Sequence, residues 1–177
     1  MYYDVIVIGG GHAGTEAANA ASRLGARTLL VTSFLARVGQ MSCNPAIGGV
    51  AKGTVAREVD AMGGLMGRAA DRTTIHFRML NRSKGPAVWA PRAQCDRGRY
   101  SREIRRLLEE RRGLDLYQGT VASLRLEGDK VRGVVCSDGS TFDSERVILT
   151  AGTFLRGSIR IGSDRELAAG RAGDAPS

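Results

Sequence analysis

A chain of 177 residues with 42% hydrophobic and 25% charged residues carries enough apolar material for one ordinary domain, or a domain with an appendage. No apolar run approaches the ~18 residues of a membrane-spanning helix, and three scattered cysteines (Cys43, Cys95, Cys136) without a C-x-x-C pair point to neither a metal site nor a disulfide framework. The net charge of +8 is concentrated: residues 78–112 hold eleven basic and four acidic residues, which suits a polyanionic partner or a solvated arginine-rich helix face.

The amino terminus, MYYDVIVIGGG, lacks the basic region and the long apolar stretch of a signal peptide, so a cytoplasmic setting is expected. Val5 to Ile8 is a β-branched run closed by glycine, which predicts a buried strand. Residues 12–24, rich in alanine and followed by Gly25, predict a helix, and Thr28 to Thr32 a second buried strand. Strand, glycine turn, helix and strand form a βαβ unit with parallel strands. Residues 47–70 read as helical with glycine interruptions, 74–80 as a strand, and 81–96, with its two prolines and Lys84-Gly85, as an irregular loop. Tyr100, Ile104, Leu107 and Leu108 recur at helical spacing and predict a helix over 98–112, with arginines at its other positions. After Leu114 the period switches to two, predicting an antiparallel meander over 120–145 that leads back to a buried strand, VILTAG, at 147–152. The signals from 153 to 177 are weak and are taken as the start of a connection to further domains.

Gly9, Gly11 and Gly14 spell G-x-G-x-x-G between a predicted strand and helix, with Gly10, His12 and Ala13 in the same turn. The first glycine allows the tight turn, the second lets a pyrophosphate approach, and the third lets helix and strand pack closely. Free N–H groups of the helix start would face the phosphates. The acid expected at the end of the second strand, for the ribose hydroxyls, is replaced by Thr32-Ser33-Phe34. The inserted meander and the small-residue turn Thr150-Ala151-Gly152 resemble the FAD-binding domain of glutathione-reductase-type flavoproteins. The expected class is therefore α/β, an FAD/NAD(P)-binding Rossmann-like domain with a parallel sheet and an inserted antiparallel meander.

Longer stretches carry a more specific resemblance. GGGHAGTEAA, GQMSCNPAIGGVAKG, EVDAMGGLMGRAAD, FRMLNRSKGPAVWAPRAQ, TAGTFLRGSIRIG and AAGRAGDAPS are similar to the MnmG (GidA) family, the flavin-dependent tRNA uridine 5-carboxymethylaminomethyl modification enzymes. The resemblance spans essentially the whole chain and implies the N-terminal FAD-binding portion of a longer protein, here residues 1–177. It implies that an NADH-handling insert and a helical domain meeting the GTPase MnmE lie beyond Ser177, and that the protein is a homodimer. The implied reaction builds a group on C5 of the wobble uridine, with methylenetetrahydrofolate as one-carbon donor and glycine or ammonium as amine. Carried over by position, the family's FAD contacts fall on Gly9 to Gly14, Val121 and Ser177, and the cysteine of its CNPAIGG loop is Cys43. Ala169 stands where the family motif has glycine.

The loop QMSCNPAIGG leaves the carboxyl edge of the sheet, where ligands of α/β proteins bind. Gly48 and Gly49 would let backbone approach a flat ring, and Cys43 either attacks C6 of a uridine, with its thiolate favoured by a helix start or Lys52, or is a small buried packer. His12 is read as capping or shielding the ligand, His76 as structural, and Trp89 as a stacking surface or a core residue. Lys84, Arg92, Arg97, Arg102, Arg105 and Arg106 are the candidate phosphate contacts. No metal site is expected. The rival readings are a non-catalytic FAD- or tRNA-binding module and a small-molecule flavin oxidoreductase.

Overall fold

The structure, a computed structural model, describes residues 1–42, 44–160, 162 and 166–168. Its centre is a four-stranded parallel sheet built from β1 (Val5–Ile8), β2 (Thr28–Thr32), β6 (Leu114–Gln118) and β10 (Val147–Leu149), in the order β10-β1-β2-β6. Alternation along the central strands divides the core in two. Val7 and Leu30 face a helical layer, while Ile6, Leu29 and Val31 face Tyr3, Val134 and Cys136 on the other side. Burying each such aliphatic side chain contributes about 1.5–3 kcal/mol, so both faces of the βαβ unit are tied down.

The helical layer begins with α1 (His12–Arg23), whose buried residues Gly14, Thr15, Ala18, Asn19 and Ser22 recur at three- and four-residue intervals. They are small, so the helix axis can lie close to β1. The helix stops in a Schellman turn: Gly25, at φ +89°, donates to the Ser22 carbonyl at 3.1 Å and Ala26 to the Ala21 carbonyl at 3.2 Å. Helix α2 (Val50–Ala61) and α3 (Met66–Thr73) follow, and the Glu16 carboxylate of α1 accepts the free amides of Leu65 and Met66 at 2.7–3.0 Å, capping α3. Helix α4 (Arg97–Glu109) starts where the Asp96 carboxylate accepts the Arg99 amide at 2.8 Å, and buries Tyr100, Ile104, Leu107 and Leu108 as its spacing predicts.

The other face is covered by the predicted meander, β7 (Val121–Glu127), β8 (Lys130–Cys136) and β9 (Thr141–Asp143). Two segments differ from expectation. The irregular loop expected at 81–96 contains β5 (Ala90–Cys95), the middle strand between β3 (Ala46–Gly48) and β4 (Thr74–Leu80) in an antiparallel sheet. Pro91 is tolerated there because β3 ends at Gly48, opposite Arg92, so no ladder donor is needed at position 91, while its carbonyl accepts the Gly49 amide at 3.0 Å. The helical reading of 47–70 likewise divides into the end of β3 and two helices separated by Gly63 and Gly64. A last hairpin joins β11 (Ser158–Arg160) to β12 (Glu166–Ala168).

Candidate nucleotide site at the carboxyl edge of the parallel sheet

The carboxyl ends of β1, β2 and β10 and the β6–β7 turn enclose a cleft of about 250 Å³. Its floor is the glycine turn. Gly9, at φ +107°, lies so close to Thr150 that a Cβ would stand 2.6 Å from the Thr150 carbonyl, and the Thr150 hydroxyl donates to the Ile8 and Gly9 carbonyls at 2.7 and 3.1 Å. The returning strand β10 thus clamps the turn through one threonine. Gly14 is buried behind it, packed on the Gly9 carbonyl. Gly11 differs from both: a Cβ there would meet nothing within 4 Å, so open space lies above this turn.

Of the expected contacts, Gly9, Gly10, Gly11, Thr32, Val121, Ala151 and Gly152 line the cleft. His12, Ala13 and Gly14 belong to the first turn of α1 and do not line it, and neither do Gly48 and Gly49. Gly48 makes its close approach to the β5 backbone at Pro91 instead. From the loop QMSCNPAIGG, Gln40 reaches the cleft, held there by the preceding Gly39 amide, which donates to the Gly10 carbonyl at 2.8 Å. Cys43 and Ser177 lie outside the described residues. Ser33 and Thr150, which the sequence places at the ribose end of β2 and in the small-residue turn, also line the cleft, and they are joined by Thr120, which the sequence did not single out. Ser33 and Thr120 hydroxyls meet at 3.1 Å across the cleft wall, beside the Thr32 and Val121 positions. Among the described residues, no group of three or more His, Cys, Asp or Glu is placed to hold a metal ion, and no helix is long and apolar enough to cross a membrane.

Behind the turn, the His12 ring lies 5.8 Å from the Tyr100 ring. Burial, and then the charge of Lys52, holds the His12 imidazole below its ordinary range, and burial pushes the Tyr100 hydroxyl up. His12 Nε2 and the Tyr100 hydroxyl are both buried without a hydrogen-bond partner among the described residues. The unfolded chain therefore takes up a proton at residue 12 before the folded one as pH falls through about 6.5. Stability contributed by the neutral ring is complete above that pH and is lost as pH falls toward the lowered folded value. Thermal melts of wild type and His12→Gln between pH 7.5 and 5 are expected to show the smaller pH dependence in the variant; parallel curves would contradict the buried neutral imidazole.

The candidate phosphate contacts fall in two places. Lys84 and Arg92 belong to the β4–β5 hairpin, and Arg97, Arg102, Arg105 and Arg106 to α4. On α4 two of these charges are compensated in place: Arg105 pairs with Glu109 at 2.7 Å, and Arg106 pairs with Glu103 at 2.8 Å and with Glu110. Hydrogen bonding from Arg106, joined by Arg72, pulls the Glu103 carboxyl down to about 2. These two arginines belong to an i,i+3 and i,i+4 ion-pair network. Cys95 and Cys136 are buried free thiols, and burial pushes the Cys136 thiol up.

Comparison with known proteins agrees with this arrangement. The family model described as glucose inhibited division protein A matches residues 4–177. The chain is 53% identical over 175 residues to the tRNA uridine 5-carboxymethylaminomethyl modification enzyme MnmG of Protochlamydia amoebophila, an alignment covering 99% of this chain and 28% of that protein. It therefore spans little more than a quarter of such a relative's length. Among solved structures, GidA of Aquifex aeolicus superposes with a TM-score of 0.94 at 47% identity, covering 100% of this chain and 29% of that one. The GidA-related protein of Thermus thermophilus superposes with a TM-score of 0.67 at 25% identity, covering 99% and 64%. The fold is thus the Rossmann-like dinucleotide-binding class that the glycine turn and meander predict, and the chain belongs to the glucose inhibited division protein A family.

Proposed function

We propose that this chain is the FAD-binding portion of a flavoprotein that modifies the wobble uridine of tRNA, forming a 5-carboxymethylaminomethyl or aminomethyl group. The observation that carries the reading is the glycine turn whose Gly11 faces open space at the carboxyl edge of a parallel sheet. The residues fit the ADP half of FAD. Backbone amides at the start of α1 suit the pyrophosphate, the Thr32 and Ser33 hydroxyls stand where the ribose is read, and Val121 and the Ala151-Gly152 turn supply close backbone. Neutral hydroxyls replace the usual carboxylate, so the ribose contact lacks charge assistance.

When bound, FAD would supply the redox chemistry of one-carbon transfer from methylenetetrahydrofolate, with glycine or ammonium as amine and NADH as reductant. The tRNA substrate is supported by the name of the 53% identical relative. Partnership with the GTPase MnmE, a homodimeric state, a cytoplasmic setting and a nucleophilic role for Cys43 belong to the same reading, which rests for them on the family resemblance.

The test is retention of flavin. Purified protein incubated with FAD and desalted is expected to keep the visible flavin absorption. Gly11→Val should retain its circular dichroism spectrum, because the added side chain meets open space and costs about 1 kcal/mol at most at this N-cap. The same side chain stands where a pyrophosphate must approach, so FAD affinity should fall by about 100-fold, roughly 2.7 kcal/mol. A folded Gly11→Val protein that binds FAD like wild type would move the site elsewhere.

A further inference from the structure

Strands β4 and β5 place two arginines directly opposite each other. Arg78 pairs with Arg92 in the antiparallel register, so both side chains rise from the same face of the sheet, with His76 and Gln94 as the next pair on that face. Like charges in this position oppose folding. The usual remedy, a nearby carboxylate, is missing from the segment: from residue 72 to 95 there are five Lys or Arg residues and no Asp or Glu. Among the described residues, neither the Arg78 nor the Arg92 guanidinium has a hydrogen-bond or ion-pair partner. Arg92 is half-buried nonetheless, and its neighbour on β3 is Gly48, which has no side chain to cover it. This differs from Arg105 and Arg106 of α4, which are neutralised by glutamates three and four residues away.

The hairpin tip carries further cations. Its short turns hold Arg82 and Lys84, and the tip is closed by two hydrogen bonds, from Asn81 Nδ2 to the Val88 carbonyl and from Trp89 Nε1 to the Arg82 carbonyl, each 3.2 Å. The indole is fixed at its nitrogen while 47% of the residue remains exposed. An exposed, anchored ring on the same hairpin as unneutralised cations matches the requirements of a single-stranded nucleic acid, whose backbone needs charge and whose bases need a flat apolar surface.

We propose that the β4–β5 hairpin is the RNA-contacting surface of this chain, with Arg78 and Arg92 gripping one backbone phosphate and Trp89 stacking on a base. The inference rests on the reading of tRNA as partner, and it moves the contact from α4, the richest arginine cluster in the sequence, to the hairpin. Relief of the Arg78–Arg92 repulsion is part of what RNA binding contributes.

The experiment is fluorescence anisotropy of the purified protein with a labelled tRNA anticodon stem-loop, over a series of salt concentrations. Arg78→Ala and Arg92→Ala are each expected to weaken binding by about tenfold and to lower the salt slope by about one phosphate contact. Arg92→Lys, which keeps the charge without the planar fork, should fall between. Both alanine variants should melt at or above the wild-type temperature, since each removes a like-charge contact, and should keep their FAD. Arg105→Ala should bind the RNA within about twofold of wild type. Competition by poly-uridylate, with none by poly-glutamate, would support RNA; equal competition by both would overturn it in favour of a general anion site. Wild-type binding with unaltered Arg78→Ala and Arg92→Ala affinities would overturn this inference and leave the tRNA reading standing. Failure of wild type to bind the stem-loop at low salt would overturn both.

Discussion

Gly14→Ala is expected to disrupt the βαβ unit itself and, with it, FAD binding. A Cβ at this position would stand 1.8 Å from the Gly9 carbonyl oxygen and 2.7 Å from the Thr150 hydroxyl. Neither neighbour can yield cheaply. The first is backbone of the phosphate turn, and the second is the hydroxyl that holds this turn to β10 through the Ile8 and Gly9 carbonyls. Helix α1 must therefore move away from β1, loosening Ala18 and Leu30 in the main core. Overpacking of a close-packed core costs about 1–3 kcal/mol, and a clash with backbone belongs at or above the upper end. The checking measurements are chemical denaturation and flavin retention on the same sample. Gly14→Ala should lose stability and flavin together, whereas Gly11→Val should lose flavin alone. Two glycines three residues apart in one motif thus have separable duties, and equal stability loss in both variants would refute that separation.

The second large effect is expected at Gly48→Ala. Gly48 has φ +117°, outside the range that L side chains favour, and a Cβ there would meet the Pro91 carbonyl oxygen at 2.0 Å and the Arg92 Cα at 2.8 Å. The conformational penalty is about 1–3 kcal/mol and the packing penalty of similar size, so a loss on the order of 2–5 kcal/mol is expected. Strand β3 would separate from β5, displacing the Gly49 amide from the Pro91 carbonyl and with it the start of α2. The defect should appear as a lower thermal midpoint with the FAD site weakened only indirectly, because Gly48 does not line the cleft. A Gly48→Ala protein of wild-type stability but without FAD affinity would instead favour direct approach of a flavin ring to Gly48.

These two glycines also mark the limit of what the chain discloses on its own. Val5 to Ile8, the glycine turn, α1 with its Gly25 stop, and Thr28 to Thr32 are legible because every signal there is local: β-branched runs, a capping glycine and a fixed G-x-G-x-x-G spacing. The apolar stripe of α4 and the period-two meander are legible for the same reason. Thr32 is legible as a cleft residue because it ends the second strand of the βαβ unit, whereas Val121, Ala151 and Gly152 are reached through the family resemblance.

What the sequence could not settle depends on partners distant along the chain. Residues 90–95 carry a proline and no strand pattern, and become a strand only because β3 and β4 arrive on either side. Thr150 acquires its function from two carbonyls some 140 positions away, which no local spacing announces. Composition marks α4 as the most basic surface, yet the structure neutralises Arg105 and Arg106 with neighbouring glutamates and leaves Arg78 facing Arg92 across two strands. Local propensity determines which segments are helix, strand or turn. Which charges remain unsatisfied, and that Gly48 is obligatory against the β5 backbone, is decided only when remote backbones meet.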